Sequence, residues 1–184
     1  MRRPAIFFAV MLLWLALDQG TKYAVFGLLA SPDKPETYPI LPGVLHITPA
    51  KNPGVAFGLR LLPRPLVLAA SMGAAAMMCW IYWRNRATVS MAQIWALALL
   101  IAGAVGNAAD RLFVGEVLDF IDIRIWPVFN AADVYICVGV ALYLLSELLP
   151  AARGWSSDGR GEAPASEEKD ACRQDVPGGD GGRK

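Results

Sequence analysis

Apolar residues along this chain come in four long blocks, and the polar residues gather between and after them. Residues 4–30, 65–83, 91–113 and 131–149 each carry a nearly unbroken apolar run, close to the roughly 20 residues that cross a bilayer as a helix. A spanning segment must satisfy its own backbone hydrogen bonds, so each block is expected to be helical. DQGTK (18–22) interrupts the first block before YAVFGLLA resumes it, and no small-x-small cleavage site follows. That block therefore reads as a retained span rather than a removed leader. If the chain crosses four times, residues 31–64 and 114–130 lie together on one side. The first stretch is rich in Pro and Gly, and VLHIT within it suits a short strand. In the second, FIDIRI alternates apolar with charged residues, as a half-buried strand does. The pattern predicts a mostly α membrane protein: four transmembrane helices with a small β-rich cap. Residues 151–184 are dominated by Gly, Ser, Asp, Glu and Arg and are expected to form a disordered tail.

Composition sharpens this picture. The 184 residues are 55% hydrophobic and 18% charged, with mean hydropathy +0.41, more apolar and less charged than a soluble domain. The net charge of +1 offers no basis for a nucleic-acid partner, but its distribution informs orientation. Arg2 and Arg3, Arg84 and Arg86, and Arg153 all fall on one side of a four-span chain, so both termini are expected to be cytoplasmic. Lys34, Lys51, Arg60 and Arg64 on the other side make that bias moderate. Cys79, Cys137 and Cys172 form no CxxC pair, and His46 is the one histidine, so neither a disulfide framework nor a metal site is expected.

Charges inside the spans then become the candidates for chemistry. Asp18 and Lys22 are four residues apart and share a helix face, either as a neutralising pair or as groups oriented toward a polar cavity. Gly103, Asn107 and Arg111 recur every four residues in the third span, with Asp110 at the flank. Gly103 permits a close helix approach, and Asn107 and Arg111 suit either helix–helix bonding or the wall of a site. NPGVAFG (52–58) reads as a turn or as backbone offered to a bound peptide.

VLDFIDIRIWPVFNAADVYI (117–136) concentrates three acids in apolar surroundings. An extended 119–125 projects Asp119 with Ile121, Ile123 and Ile125, and turns Asp122 and Arg124 to the other face. Asp122 is then an ordinary solvated residue, while Asp119 is a carboxylate on an apolar face. Asp133 lies in the first turn of the fourth span, and Asn130-x-x-Asp133 resembles a capping box. Asp119 and Asp133 both fall at the outer membrane boundary, joined by a short connection. Two neighbouring carboxylates do not both ionise easily. One can serve as general base on water while the other donates a proton, which is aspartic-protease chemistry without metal, Ser or His. The N-terminal end of the fourth span favours a charged group at Asp133, so Asp119 is expected to hold the proton.

With DQGTK (18–22), NPGVAF (52–57), GNAADR (106–111), VLDF (117–120) and FNAAD (129–133) in that order on a four-span frame, the chain resembles the bacterial lipoprotein signal peptidases, or type II signal peptidases. The resemblance covers roughly residues 5–150. It implies a membrane aspartic endopeptidase, residues 1–150, in the inner membrane, with a periplasmic cap and an active site near the periplasmic face. It also implies diacylglyceryl-modified prolipoproteins as substrates, cut before the modified cysteine, within membrane lipid and with no cofactor. By family pattern Asp119 and Asp133 are the catalytic pair and Asp110 is a structural acid. Asp18, Lys22, Asn52, Gly54, Ala56, Asn107, Arg111, Asn130 and Ala132 match positions around the site, with Gly103 beside them. Nothing in the chain calls for more than a monomer.

Two other classes compete. An ion transporter would carry its acids along the spans, whereas Asp119 and Asp133 cluster at one boundary. A membrane scaffold would tolerate loss of either acid.

Overall fold

A computed structural model describes residues 2–54 and 63–149. It contains α1 (Arg2–Leu29), β1 (Tyr38–Leu41), β2 (Leu45–Asn52), α2 (Arg64–Asn85), α3 (Met91–Phe113), β3 (Val117–Asp122) and α4 (Ala131–Leu148). All four helices are long and apolar enough to cross a membrane. The expected fold class, four transmembrane helices with a small β-rich cap, is the one observed.

α1 runs straight through DQGTK without a break. The polar residues there do not end the helix because their demands are met internally: Thr21 Oγ1 donates to the Leu17 carbonyl at 2.9 Å, and Lys22 pairs with Asp18 at 2.9 Å. α3 begins at a capping box in which Ser90 Oγ accepts from Gln93 N and Gln93 Oε1 accepts from Ser90 N. Together the two bonds satisfy otherwise orphaned donors at the helix start.

α3 is the central helix, packed against α1, α2 and α4, and its middle is largely buried by them. The other three turn Leu12, Leu13, Met72, Met77, Leu144 and Leu145 outward, as lipid-facing helices must. Two glycines set the distance between α3 and α4. A Cβ on Gly103 would meet the Ala132 carbonyl oxygen at 2.5 Å, and one on Gly139 would meet the Ala96 carbonyl oxygen at 2.9 Å. Without those methyls the backbones approach closely, the usual small-residue route to tight packing in lipid. Gln93 Nε2 donates to Glu147 Oε1 at 2.5 Å, tying the start of α3 to the end of α4.

The cap is a three-stranded antiparallel sheet in the order β1-β2-β3. Between the pairs Ile47↔Ile121 and Ala50↔Asp119, β2 carries one more residue than β3, a bulge at Thr48–Pro49. Pro49 has no N–H to give the ladder, so an irregularity there is expected. β3 ends at Asp122, short of the strand suggested by the alternation through Ile125. Arg124 takes φ 67°, which turns the chain. The chain then returns: Phe129 N donates to the Ile121 carbonyl at 3.0 Å, and Ile121 N to the Phe129 carbonyl at 2.7 Å. This return sets Asn130 and the start of α4 beside β3.

Candidate active site

Asp119 comes from the middle of β3 and Asp133 from the first turn of α4, and both line one cavity of about 270 Å³. Asn52, Asn107 and Arg111 supply its other polar groups, and Val117, Trp126, Val128 and Phe129 much of its apolar wall.

Asn130 joins the two acids. Its Nδ2 donates to Asp119 Oδ1 at 2.6 Å, and its backbone N donates to Asp133 Oδ2 at 3.2 Å. The expected capping box is present, with Asn130 Oδ1 accepting from Asp133 N at 3.2 Å. Capping and site geometry are therefore one arrangement: the cap that starts α4 also orients the Asp133 carboxyl. Asn107 Nδ2 donates to Asp133 Oδ1 at 2.8 Å. Asn52 Nδ2 donates to Asp119 Oδ2 at 2.9 Å. Asn52 lies opposite Val117 in the ladder, so Asp119 is its diagonal neighbour on the same face of the sheet. Every carboxyl oxygen of the pair has a donor.

Asp119 is buried, 2% exposed. Burial in apolar surroundings raises its carboxyl to about 6, against the hydrogen bonds from Asn52 and Asn130, which favour the charged form; the neighbouring Asp133 adds to the rise, and Lys22 opposes it. Asp119 therefore takes up a proton at higher pH than an ordinary aspartate does.

Arg111 reaches over the site edge. Its guanidinium donates to the Gly54 carbonyl at 2.9 Å and to the Asn107 carbonyl at 3.2 Å. Gly54 N in turn donates to Asn52 Oδ1 at 2.9 Å, so the end of β2 is bound both to Arg111 and to the side chain that holds Asp119. Behind this layer lies a buried charged cluster. Lys22 pairs with Asp18 at 2.9 Å and Asp110 at 2.7 Å, and Ala132 N donates to Asp18 Oδ1 at 2.9 Å. Gly106 leaves room for it, since a Cβ there would meet Asp18 Oδ2 at 2.4 Å.

Of the residues singled out in the sequence, Asp119, Asp133, Asn52, Asn107 and Arg111 line the cavity, and Asn130 bridges the acids. Asp18, Lys22 and Ala132 stand behind it, Gly54 at its edge, and Gly103 in the α3–α4 contact. Ala56 lies outside the described residues. Asp122 differs from its expected solvated setting: it is buried, accepting from Thr48 Oγ1, Arg124 N and the Arg124 guanidinium. These bonds, the backbone one foremost, hold its carboxyl below the usual range.

Two further residues belong to the arrangement. Gln19 Nε2 donates to both Asp18 and Asp110; it sits inside DQGTK, where the neighbouring charges drew attention away from it. Cys137 lines the cavity, and its place four residues after Asp133 on one helix face would have marked it.

A second opening of about 300 Å³ meets the first. It runs along the helices past Val67, Met78, Leu100 and Ile136 and shares Asn107, Arg111 and Asp133 with the cavity. An apolar groove in the membrane region thus ends at one of the two acids.

The sequence profile described as signal peptidase II matches residues 10–149. A lipoprotein signal peptidase of Moorella thermoacetica is 37% identical over 146 residues, 79% of this chain and 94% of the relative. Its counterpart in Syntrophus aciditrophicus is 38% identical over 160 residues, covering 81% and 96%. Two bacterial membrane enzymes solved by the in meso method superpose well. One, at 2.3 Å resolution, has TM-score 0.70 and 25% identity over 84% of this chain and 94% of its own. The other, at 1.9 Å, has TM-score 0.67 and 29% identity over 78% and 93%.

Proposed function

The chain belongs to the signal peptidase II family of aspartic endopeptidases, and from that premise we propose that it removes the signal peptide from prolipoproteins, cutting before a diacylglyceryl-modified cysteine with Asp119 and Asp133 as its acid pair. The observation that carries this reading is the meeting of two acids from separate segments on one cavity, bridged by a single residue, Asn130, through its side chain to Asp119 and its backbone N–H to Asp133.

The chemistry follows from their settings. Asp119, buried and raised to about 6, is the acid that takes up a proton in the reactive form; Asp133, at a helix N-terminus, is the carboxylate. A water between them loses a proton to Asp133 as its oxygen bonds to the scissile carbonyl carbon. Asp119 gives its proton to the carbonyl oxygen, and a neutral tetrahedral diol forms. Asp133 then returns its proton to the amide nitrogen, the C–N bond breaks, and Asp119 recovers a proton from the diol. Each carboxyl ends as it began, and one water has been consumed.

The membrane groove suits the rest of such a substrate. Its apolar wall fits a signal helix or acyl chains, and it leads to Asp133, Asn107 and Arg111, where peptide carbonyls can find donors. In this reading both termini are cytoplasmic, the cap and the acids lie at the periplasmic face of the inner membrane, and one chain forms the whole site.

Purified protein incubated with a diacylglyceryl prolipoprotein tests the proposal. Wild type should cleave it, and the unmodified precursor should be a poor substrate. Asp119→Asn and Asp133→Asn should each lower kcat at least ~10³-fold while the protein remains folded. Full activity in either variant would return the chain to the scaffold class.

A further inference from the structure

Lys22 does not line the cavity, yet it connects to both acid-bearing segments. Its Nζ lies 2.7 Å from Asp110 Oδ2, 2.9 Å from Asp18 Oδ2 and 3.1 Å from Asn107 Oδ1. All four side chains are buried. Each acceptor then holds something next to the site. Asp18 accepts from the backbone N of Ala132, the residue before Asp133. Asp110 accepts from the backbone N of Leu118 at 3.3 Å, the residue before Asp119. Asn107 donates to Asp133 itself and accepts from Asn130, which donates to Asp119.

We propose that Lys22 is the positioning residue of the acid pair: through Asp18, Asp110 and Asn107 it fixes the backbones of β3 and α4 at the distance at which Asp119 and Asp133 act together. This rests on the reading of Asp119 and Asp133 as the catalytic pair. A lysine whose work is only to neutralise Asp18 needs one partner, its i+4 neighbour. Lys22 has three, and they come from α1 and α3 while the backbone groups they hold belong to β3 and α4. Gln19 Nε2 also donates to Asp18 and Asp110, but Lys22 alone of the two brings a charge and a bond to Asn107. Burying an ammonium in a membrane protein is costly, and the cost is offset by two carboxylates and an amide oxygen that would otherwise be under-satisfied. The positive charge also opposes protonation of Asp119. Its removal should therefore let Asp119 keep its proton to higher pH.

The test compares the full chain with Lys22→Met and with the double variant Lys22→Met/Asp110→Asn, all purified in detergent, with Asp119→Asn as the inactive reference. The cluster of one lysine and two aspartates carries formal charge −1, and so does the double variant, which has no lysine and one aspartate. The double variant therefore avoids leaving an extra buried charge unpaired and guards against a folding failure of the single one. Thermal unfolding establishes which variants are folded, and kcat and KM for the prolipoprotein are followed across pH. The expected result is a fall in kcat of roughly tenfold or more, as a displaced reacting group produces, with KM within about twofold of wild type and, in Lys22→Met, where a positive charge is lost, the alkaline limb of the kcat profile moved to higher pH. Wild-type kcat in a folded variant overturns the proposal. So does a reduced kcat in a folded Lys22→Met with both limbs unmoved, which marks a general loosening of the fold away from Asp119, and so does failure of both variants to fold. Activity in Asp119→Asn would instead overturn the assignment of the acid pair.

Discussion

Asn130 and Asn52 do for the acids what charged neighbours do in many sites, but without a charge. Between them they donate to both oxygens of Asp119, and an amide donor favours the ionised carboxylate. Burial works in the opposite direction and dominates, which leaves Asp119 at about 6. The balance gives a prediction with a definite sign. Replacing Asn52 with Ala removes a donor to the charged form, so Asp119 holds its proton to higher pH. The alkaline limb of kcat should move upward, and kcat should fall roughly tenfold as Asp119 loses one orienting bond. An Asn52→Ala profile that overlays wild type would show that Asn52 does not act on Asp119. At this scale the sequence was legible where a residue clashed with its surroundings. Asp119 on an apolar face and Asn107 and Arg111 in a span stood out because such placements are costly. Asp122 was misjudged because alternation reports the face of a strand and not what covers that face. Thr48 and Arg124 cover it here, and both contacts depend on the pairing of β2 with β3 and the turn after it.

Among the elements, the α3–α4 contact bears most directly on the site, since α4 begins with Asp133. Gly103 faces the Ala132 carbonyl at a distance that admits no methyl. Gly103→Ala should push the start of α4 outward, lower stability by about 1–3 kcal/mol as overpacking does, and reduce cleavage. Gly73→Ala in α2, where nothing lies within 4 Å, is the matched control. It should leave activity unchanged and hold or slightly raise the unfolding temperature, because Ala is the better helix former. Equal effects at the two positions would mean that the close approach is not what Gly103 provides. The four helices were legible because a run of about 20 apolar residues admits few other folds. The cap was legible only in outline. VLHIT and FIDIRI announced strands, but the bulge at Thr48–Pro49 and the end of β3 at Asp122 arise from strand pairing and from Arg124 at φ 67°, neither of which a local pattern encodes.

For the molecule as a whole, the family match ends at residue 149, one residue past the end of α4 at Leu148. Residues 151–184, expected to be a disordered tail, lie outside the described residues. A chain ending at residue 150 should therefore cleave prolipoprotein with unchanged kcat and KM, and a loss of more than about threefold would assign the tail a part in the reaction. By itself the sequence determined the number of apolar spans, that the polar segments between them gather together, and which residues are costly in their surroundings, because hydrophobicity and charge are local properties written in the order of residues. Only the tertiary structure decided that β3 and α4 meet through the return of Phe129 to Ile121, that one asparagine serves both acids, and that Lys22 pairs with the two aspartates that accept from the backbones just ahead of Asp133 and Asp119. Those are relations between segments far apart in the chain, set by packing against α3 and by hydrogen bonds that exist only once the segments have come together.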